Sequence, residues 1–415
     1  MKLTTLHIYA ISILLFGSVT ESSLAAYYDT LPKGVRLLAF RQVQTSDIEN
    51  EFSKEGRRES LSFNQSLTSK ELSEIKGADI YFDELKKTSP AAYEMFRVGR
   101  YEIDTHAQLQ VQGFGVAYGL TERLTTFVSI PYYRASVLMD VKRTESNNYQ
   151  DVANQLNQSG QESDTAYLLN QLTSQLPDAD GQLLQTVLVR NYEYKPIGSW
   201  NAKGLGDVEL TGLYRLTDWK SSGLATSFGV TLPTGRVNDP DILQDMAFGD
   251  GQTDLFLEFG GGISIMERKL DLDASLRYTY QIESHKTLRI PESEKMQFSS
   301  EKGEFNEKLG NMWNSDLMVS YKTHSWLQFQ AGHEFLFEGS PNYSSPYQEA
   351  NQILGLRSGE SYHIIKTGLK LSTVELYQMA KFSMPMSVQL LARKTVTGRN
   401  TPEVSRVDLE FRLFF

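Results

Sequence analysis

The final eleven residues, Ser405-Arg-Val-Asp-Leu-Glu-Phe-Arg-Leu-Phe-Phe415, alternate along their length and stop on an aromatic. Successive side chains on a strand point to opposite faces. Ser405, Val407, Leu409, Phe411, Leu413 and Phe415 therefore share one face, and Arg406, Asp408, Glu410 and Arg412 share the other. One greasy face and one ionised face suit either a soluble β-sandwich or a barrel wall between lipid and a wet interior. In a barrel the Phe, Leu and Val row meets lipid and the charged row faces the lumen.

The same rhythm recurs through the chain and favours the barrel. In Lys269–Gln281, Leu270, Leu272, Ala274, Leu276, Tyr278 and Tyr280 oppose Asp271, Asp273, Ser275, Arg277, Thr279 and Gln281. Its predecessor sets Leu255, Leu257 and Phe259 against Asp254, Glu258 and Gly260. Period-2 runs predict twelve strands, at roughly 34–44, 104–118, 123–138, 205–216, 222–234, 252–264, 269–282, 311–321, 325–338, 361–372, 383–396 and 404–415. Short turns join the second to the third, the fourth to the fifth, the sixth to the seventh and the eighth to the ninth. The link from tenth to eleventh is longer, and extended segments join the rest. An even strand number with both ends on the periplasmic side puts every short turn there and every long loop outside the cell. The expected fold is all-β: a closed antiparallel transmembrane barrel of about twelve strands, with long extracellular loops carrying some helix.

The amino end agrees with export. Met1-Lys2 is a short basic start, Ile8 to Val19 is mostly apolar, and Ser23-Leu-Ala25 offers small residues for a signal peptidase. A buried helix or membrane anchor is the alternative, but the apolar core is shorter than the roughly 20 residues a span takes. The expected organisation is a cleaved signal peptide, 1–25, and a barrel, 26–415. The chain has no cysteine, which excludes disulfide and thiol chemistry. Its net charge of −10 argues against a nucleic-acid partner. A mean hydropathy of −0.37 does not exclude a membrane, because barrel strands hide apolar residues in alternation.

Loops 46–103 and 139–203 are too long to be mere connections. The first has helix-like stretches at Ser69-Lys-Glu-Leu-Ser-Glu-Ile and Asp83-Glu-Leu-Lys-Lys. Within the second, 145–190 carries helical spacing at Val152, Leu156, Leu168, Leu172 and Leu176. They are expected to plug the lumen, to cap the outer mouth, or to stand as solvated excursions.

Catalytic signatures are weak. No His-x-Ser-Asn phrase of a barrel phospholipase occurs, nor a Gly-x-Ser-x-Gly elbow, and no enzyme activity or cofactor is expected. Asp239, Asp241, Asp245 and Asp250 cluster in one external loop, read as a solvated acidic loop with calcium as a lesser alternative. His333 shares the lipid face of Leu327, Phe329, Ala331 and Phe335 unless a bulge at Gly332 turns it inward. The inward row is the better candidate. Parity assigns to the lumen Asp207, Glu209, Arg215, Asp254, Glu258, Asp271, Asp273, Arg277, Asp316, Lys322, Glu334, Lys366, Lys370, Arg393, Arg406, Asp408, Glu410 and Arg412. So many charges need water or opposite charges beside them, which means a salt-bridged lumen or a narrow wet channel with separated acidic and basic walls.

The terminal strand resembles the closing strand of bacterial outer-membrane barrels, and that resemblance implies an assembly signal in Phe411, Leu413 and Phe415, read by the barrel assembly machinery. Tyr118-Gly-Leu-Thr-Glu-Arg-Leu124 running into Val128-Ser-Ile-Pro-Tyr132, then Gly204-Leu-Gly-Asp-Val208, Leu232-Pro-Thr-Gly235 and Gly251-Gln-Thr-Asp254, resemble the outer-membrane proteins of the phenol-degradation meta-pathway family over roughly 105–415. The family implies a barrel that passes aromatic or other hydrophobic small molecules. Each phrase also reads as turn chemistry, and Gly204-Leu-Gly206 lacks the third glycine and the helix of a nucleotide fingerprint. The function expected is a monomeric channel in the Gram-negative outer membrane, surrounded by lipid, for passive uptake of small hydrophobic or aromatic solutes. The rival is a non-transporting surface barrel whose long loops bind partners, and a barrel hydrolase is the minor alternative.

Overall fold

The computed structural model describes residues 27–73, 78–158, 167, 181–266, 269–294, 298–356 and 359–415. The expected signal segment and Leu168, Leu172 and Leu176 lie outside them. Twelve strands close on themselves: β1 (Arg36–Thr45), β2 (Arg97–Gly119), β3 (Leu124–Glu145), β4 (Val208–Trp219), β5 (Ser222–Leu232), β6 (Asp254–Ile265), β7 (Leu270–Gln281), β8 (Met312–His324), β9 (Leu327–Glu338), β10 (Ser361–Ser372), β11 (Met386–Arg399) and β12 (Ser405–Phe414). Each pairs antiparallel with the next, and β12 returns to β1 with Phe411 opposite Phe40 and Glu410 opposite Arg41. The sheet has no free edge along the barrel, so its backbone groups are satisfied without water.

The alternation decides which face goes where. On β12, Arg406, Asp408, Glu410 and Arg412 are buried, while Val407, Leu409 and Phe411 are exposed. The same phase holds around the wall, where Phe114, Ile130, Phe228, Phe259, Leu276, Leu317, Phe329 and Ile365 all face outward. A monomer in water rarely exposes an apolar patch beyond a few hundred Å², so this continuous band is a lipid-facing surface. No helix among the described residues is long and apolar enough to cross a membrane.

The short turns lie at the inner end, as expected; the tenth-to-eleventh link carries a helical turn, Val374–Gln378. The outer connections are more structured than periodicity suggested. β2 and β3 are 23 and 22 residues long, about twice the 9–11 residues that cross a bilayer. Their outer halves form a sheet with Phe63–Thr68 on one side and Ser199–Leu205 on the other. Helices Asp79–Thr88, Pro90–Met95 and Tyr149–Gln158 cap this hairpin, burying Phe82, Leu85, Phe96, Val152 and Leu156. Ser89 starts the middle helix by accepting a hydrogen bond from Ala92 N at 3.3 Å, with Pro90 at the first helical position. Most of the 46–103 loop is thus a cap on the extended hairpin, while Ile48 and Leu61 near its start pack into an apolar cluster with Val111, Met246 and Phe248.

Candidate functional site: the barrel interior

A different loop enters the barrel. Residues 233–253, between β5 and β6, hold the cluster read as solvated and acidic, yet Gln244, Asp245, Met246, Ala247 and Phe248 are buried. Phe248 stacks on Tyr133 of β3 at 5.1 Å and 6° between ring planes. Met246 and Phe248 join Leu109, Val111, Ala135 and Leu336 in one apolar cluster across the outer mouth.

The carboxylates are what fold this loop inward. Asp245 accepts from Arg236 Nη2 at 2.7 Å and from the Asp239 backbone at 2.6 Å. Lys195 donates to Asp239 at 2.6 Å, and Arg289 and Lys302 donate to Asp241 at 2.6 and 2.8 Å. Burial alone would raise Asp241, but its hydrogen bonds from Lys302 and Arg289 hold it below the usual carboxylate range. Each of these three acids is claimed by a cation, and no group of three or more His, Asp or Glu among the described residues is arranged to hold a metal ion. Sequence spacing showed the acids and missed their basic partners: Arg236 for Asp245 lies nine residues away in the same loop, and those of Asp239 and Asp241 lie 44 to 61 residues away.

The turn phrases form the base of the plug. Asp207 accepts from Gly235 N at 2.7 Å, and Thr234 Oγ1 donates to Gly206 O at 2.9 Å. Gly206 lies so close to the Tyr133 ring that any Cβ there would collide with it. Gly204–Val208 and Leu232–Gly235 thus meet at this rim, with Pro131 beside them, whereas Tyr118–Leu124 makes the short turn at the other end of β2 and β3.

The inner end is closed by a segment whose role sequence reasoning did not identify. Tyr27 and Tyr28 are buried inside the barrel. Tyr27 N donates to Asp273 at 3.0 Å, and its hydroxyl lies 3.5 Å from Ser227 Oγ, which in turn donates to Glu258 at 2.9 Å. The rings fit because the facing wall is small: a Cβ at Gly260 would strike Tyr27, and one at Gly223 would strike Tyr28. Leu31 N donates to Thr125 at 2.8 Å and ties the segment to β3. The one available signal was a row of inward glycines on β5 and β6.

Between the plugs run the inward charges. Glu209, Asp254, Glu258, Asp271, Glu334, Lys366, Lys370, Arg393, Arg406, Asp408, Glu410 and Arg412 are all buried on the inner face. Asp273, Arg277 and Asp316 lie on the same face, half-buried. Arg215 and Lys322 sit at the inner rim, where they meet Asp218 and Glu375. Asp207 lies at the outer rim rather than on a strand. Two walls differ. On β4 and β6, Glu209, Asp254 and Glu258 face Arg277 of β7, which meets Glu209 at 2.7 Å and lies 3.6 Å over the Phe256 ring, while Asp271 and Asp273 lie farther along β7. On β9 to β12 and β1, cations outnumber acids. A belt runs from Asp316 to Lys366, across to Glu334, then Arg393 at 3.1 Å, Asp408 at 2.9 Å and finally Arg41. Buried ions survive only with such partners.

Beside the belt, the β1–β3 wall is apolar. Ala39, Val43, Val111, Gly113, Gly115, Phe127 and Pro131, with Arg41, Glu410 and Arg412 along one edge, line a recess of about 40 Å³. It is a niche in the wall, open to the lumen and much smaller than a closed small-molecule site.

Two histidine sites bear on hydrolysis. His106 contacts Asp104 at 3.0 Å and Glu49 at 3.3 Å outside the barrel, and Ser62 donates to the same Asp104 at 2.6 Å. The hydroxyl is bound by the acid and not by the imidazole, the reverse of nucleophile activation. His333 faces outward with its register unbroken at Gly332, and its Nε2 lies 3.0 Å from His363 Nδ1.

No family model and no curated protein matches this sequence. Among solved structures, the COG4313 outer membrane channel from Pseudomonas putida F1 is similar with a TM-score of 0.51 at 12% identity, over 94% of this chain and 98% of that one. The toluene transporter TbuX of Ralstonia pickettii aligns over 95% and 92% at 9% identity, with a TM-score of 0.37. The first likeness establishes the fold as that of an outer-membrane barrel; at its lower score the second adds nothing to that assignment.

Proposed function

We propose that the protein is a passive channel of the Gram-negative outer membrane for small hydrophobic or aromatic solutes. The observation that carries this reading is the eccentric niche: an apolar β1–β3 wall facing a belt of fixed charges inside a closed barrel. A flat solute passing through the lumen lays one edge in this niche, against Phe127, Pro131 and the inward glycines, and turns a polar substituent toward Arg41 and Arg412. The inward charges keep the remaining interior wet and set selectivity by sign and position. The fold shared with a known outer membrane channel agrees with this.

Three further assignments belong to the reading. Residues 1–25 direct export and are removed; Phe411, Leu413 and Phe415 present the assembly signal from the lipid face of β12; and a single chain makes the pore. Liposome swelling tests the function. Proteoliposomes should admit phenol-sized aromatics and aromatic acids faster than sugars of equal mass, and the bulkier Gly113→Leu should slow the aromatics selectively. Equal rates for both solute classes, or no swelling even after removal of 237–249, would sink it.

A further inference from the structure

Beneath the plug lies a row of carboxylates that the ion-pair belt does not reach. Glu338 ends β9 and Glu360 precedes β10, and the two are directly opposite: Glu338 N donates to Glu360 O at 2.8 Å beside the ladder pair Phe337–Ser361. Both are 7% exposed. Like charges opposite one another on adjacent strands repel, and burial removes the water that would screen them. Glu360 Oε1 has no hydrogen-bond partner. The row continues through Gln281, whose amide donates to Glu338 at 3.4 Å, to Asp254, its ladder partner on β6. Asp254 Oδ1 also lacks a partner.

Elements above and beside the row add more acid than base. The plug contributes Asp250, the rim Asp207, and the outer strand Lys302–Lys308 contributes Glu307. Lys286, from Ser284–Arg289, is already bound to Glu307. On the barrel side Arg277 is held by Glu209, and Glu334 by Arg393. The missing neutralising charge is a metal ion or protons, and no metal-holding arrangement exists among the described residues. Protons are left.

We propose that Glu338 and Glu360, with Asp250 on the plug, form a proton-operated latch that keeps the outer mouth shut in acid and releases it as pH rises. Burial and then Glu338 push the Glu360 carboxyl well above the usual range, and burial raises Asp250, with Glu307 adding to the effect and Lys286 opposing it. A group with a raised pKa binds its proton more tightly when docked than when hydrated. Docking is therefore favoured at low pH and lost as pH rises through the raised value.

The inference concerns regulation of the channel just proposed, and its test reads the plug separately from transport. The chain has no cysteine, so Ala247→Cys in the plug is a unique thiol. Its labelling by a sulfonated maleimide is divided by that of Lys54→Cys on the exposed outer hairpin, which cancels the reagent's own pH dependence. In the full-length refolded protein the ratio should rise about tenfold or more from about pH 5 to about pH 8.5, since one pK unit corresponds to a factor of ten. With Glu338→Gln and Glu360→Gln together it should stay low throughout; Asp250→Asn, a milder second variant, should reduce the rise. A flat ratio in the parent, or an unchanged rise in the Gln pair, overturns the latch. Bilayer current on the same preparations separates the two ideas. A pH-dependent ratio without current keeps the latch and defeats the channel, whereas current with a flat ratio does the opposite.

Discussion

The two ends of this barrel are closed by different physics. The outer plug is a long loop folded around its own carboxylates, with Asp239, Asp241 and Asp245 each tied to a cation and Phe248 laid flat on Tyr133. The inner plug is a short leading segment, Tyr27 to Leu31, seated where Gly223 and Gly260 leave room for two rings. Its ring seats contain a buried Ser227–Glu258 hydrogen bond, and the two rings are seated by the fit of their wall. The outer closure therefore depends on charge, pH and salt. The inner one depends on shape.

Asp245→Ala breaks the outer arrangement most severely. Its side chain is 1% exposed and receives Arg236, the Asp239 amide and the Met246 amide, so removal leaves three donors unmatched at a cost of about 2–4 kcal/mol. Cleavage within 237–249 by a protease should accelerate roughly a hundredfold, because proteolysis follows the local opening equilibrium. The inner plug should be unaffected. If the cleavage rate stays within twofold of the parent, ion pairing does not hold the loop.

Gly260→Val tests shape at the other end. The added methyls meet the Tyr27 ring and the Ala274 backbone oxygen, an overpacking cost of about 1–3 kcal/mol. Part of that is relieved by expelling the segment, so proteolysis ahead of Leu31 should rise about tenfold or more. Tyr27→Ala combined with Gly260→Val should recover the barrel's resistance to thermal unfolding in detergent. No recovery would mean that the valine disturbs the wall and not the plug.

Sequence periodicity made the wall legible because a closed barrel leaves each side chain only two destinations, lipid or interior. Phe411 and Glu410 differ by one position and by their entire environment. Every barrel strand was placed, though β2 and β3 run beyond their expected ends, and parity described most of the charged row while misplacing Asp207, which lies between strands. The plugs were not legible for the same reason. Parity assigns a residue to a face and says nothing of a loop that turns back over the rim. Asp241 reads as solvated until Arg289 and Lys302 are brought beside it by Ser284–Arg289 and Lys302–Lys308, strands hidden in a connection without strong alternation. Tyr27 and Tyr28 carry no alternation of their own, and their seat shows only when the inward glycines of β5 and β6 are set opposite them.

The smallest expected effect lies outside the membrane and sharpens the electrostatic half of the comparison. A three-stranded sheet joins Asn50–Phe52 to Arg58–Ser60 and Thr401–Pro402, and it places Glu51 directly opposite Glu59. Burial, then Glu59, pushes the Glu51 carboxyl up to about 7. Below the unfolded pKa both the folded and the open sheet hold the proton, and the sheet has its full stability. As pH rises toward about 7 the open form ionises first, and stability falls; above that value the loss is complete. Because the group is partly exposed, screening limits the whole span to about 1 kcal/mol. Amide exchange at Asn50 and Phe52, corrected for intrinsic rate, should therefore speed up several-fold between about pH 4.5 and about pH 7.5. Glu51→Gln should abolish the slope and keep the slow rate at the higher pH. An identical slope in that variant would assign the titration to another group and remove the analogy with the carboxylates at the outer mouth.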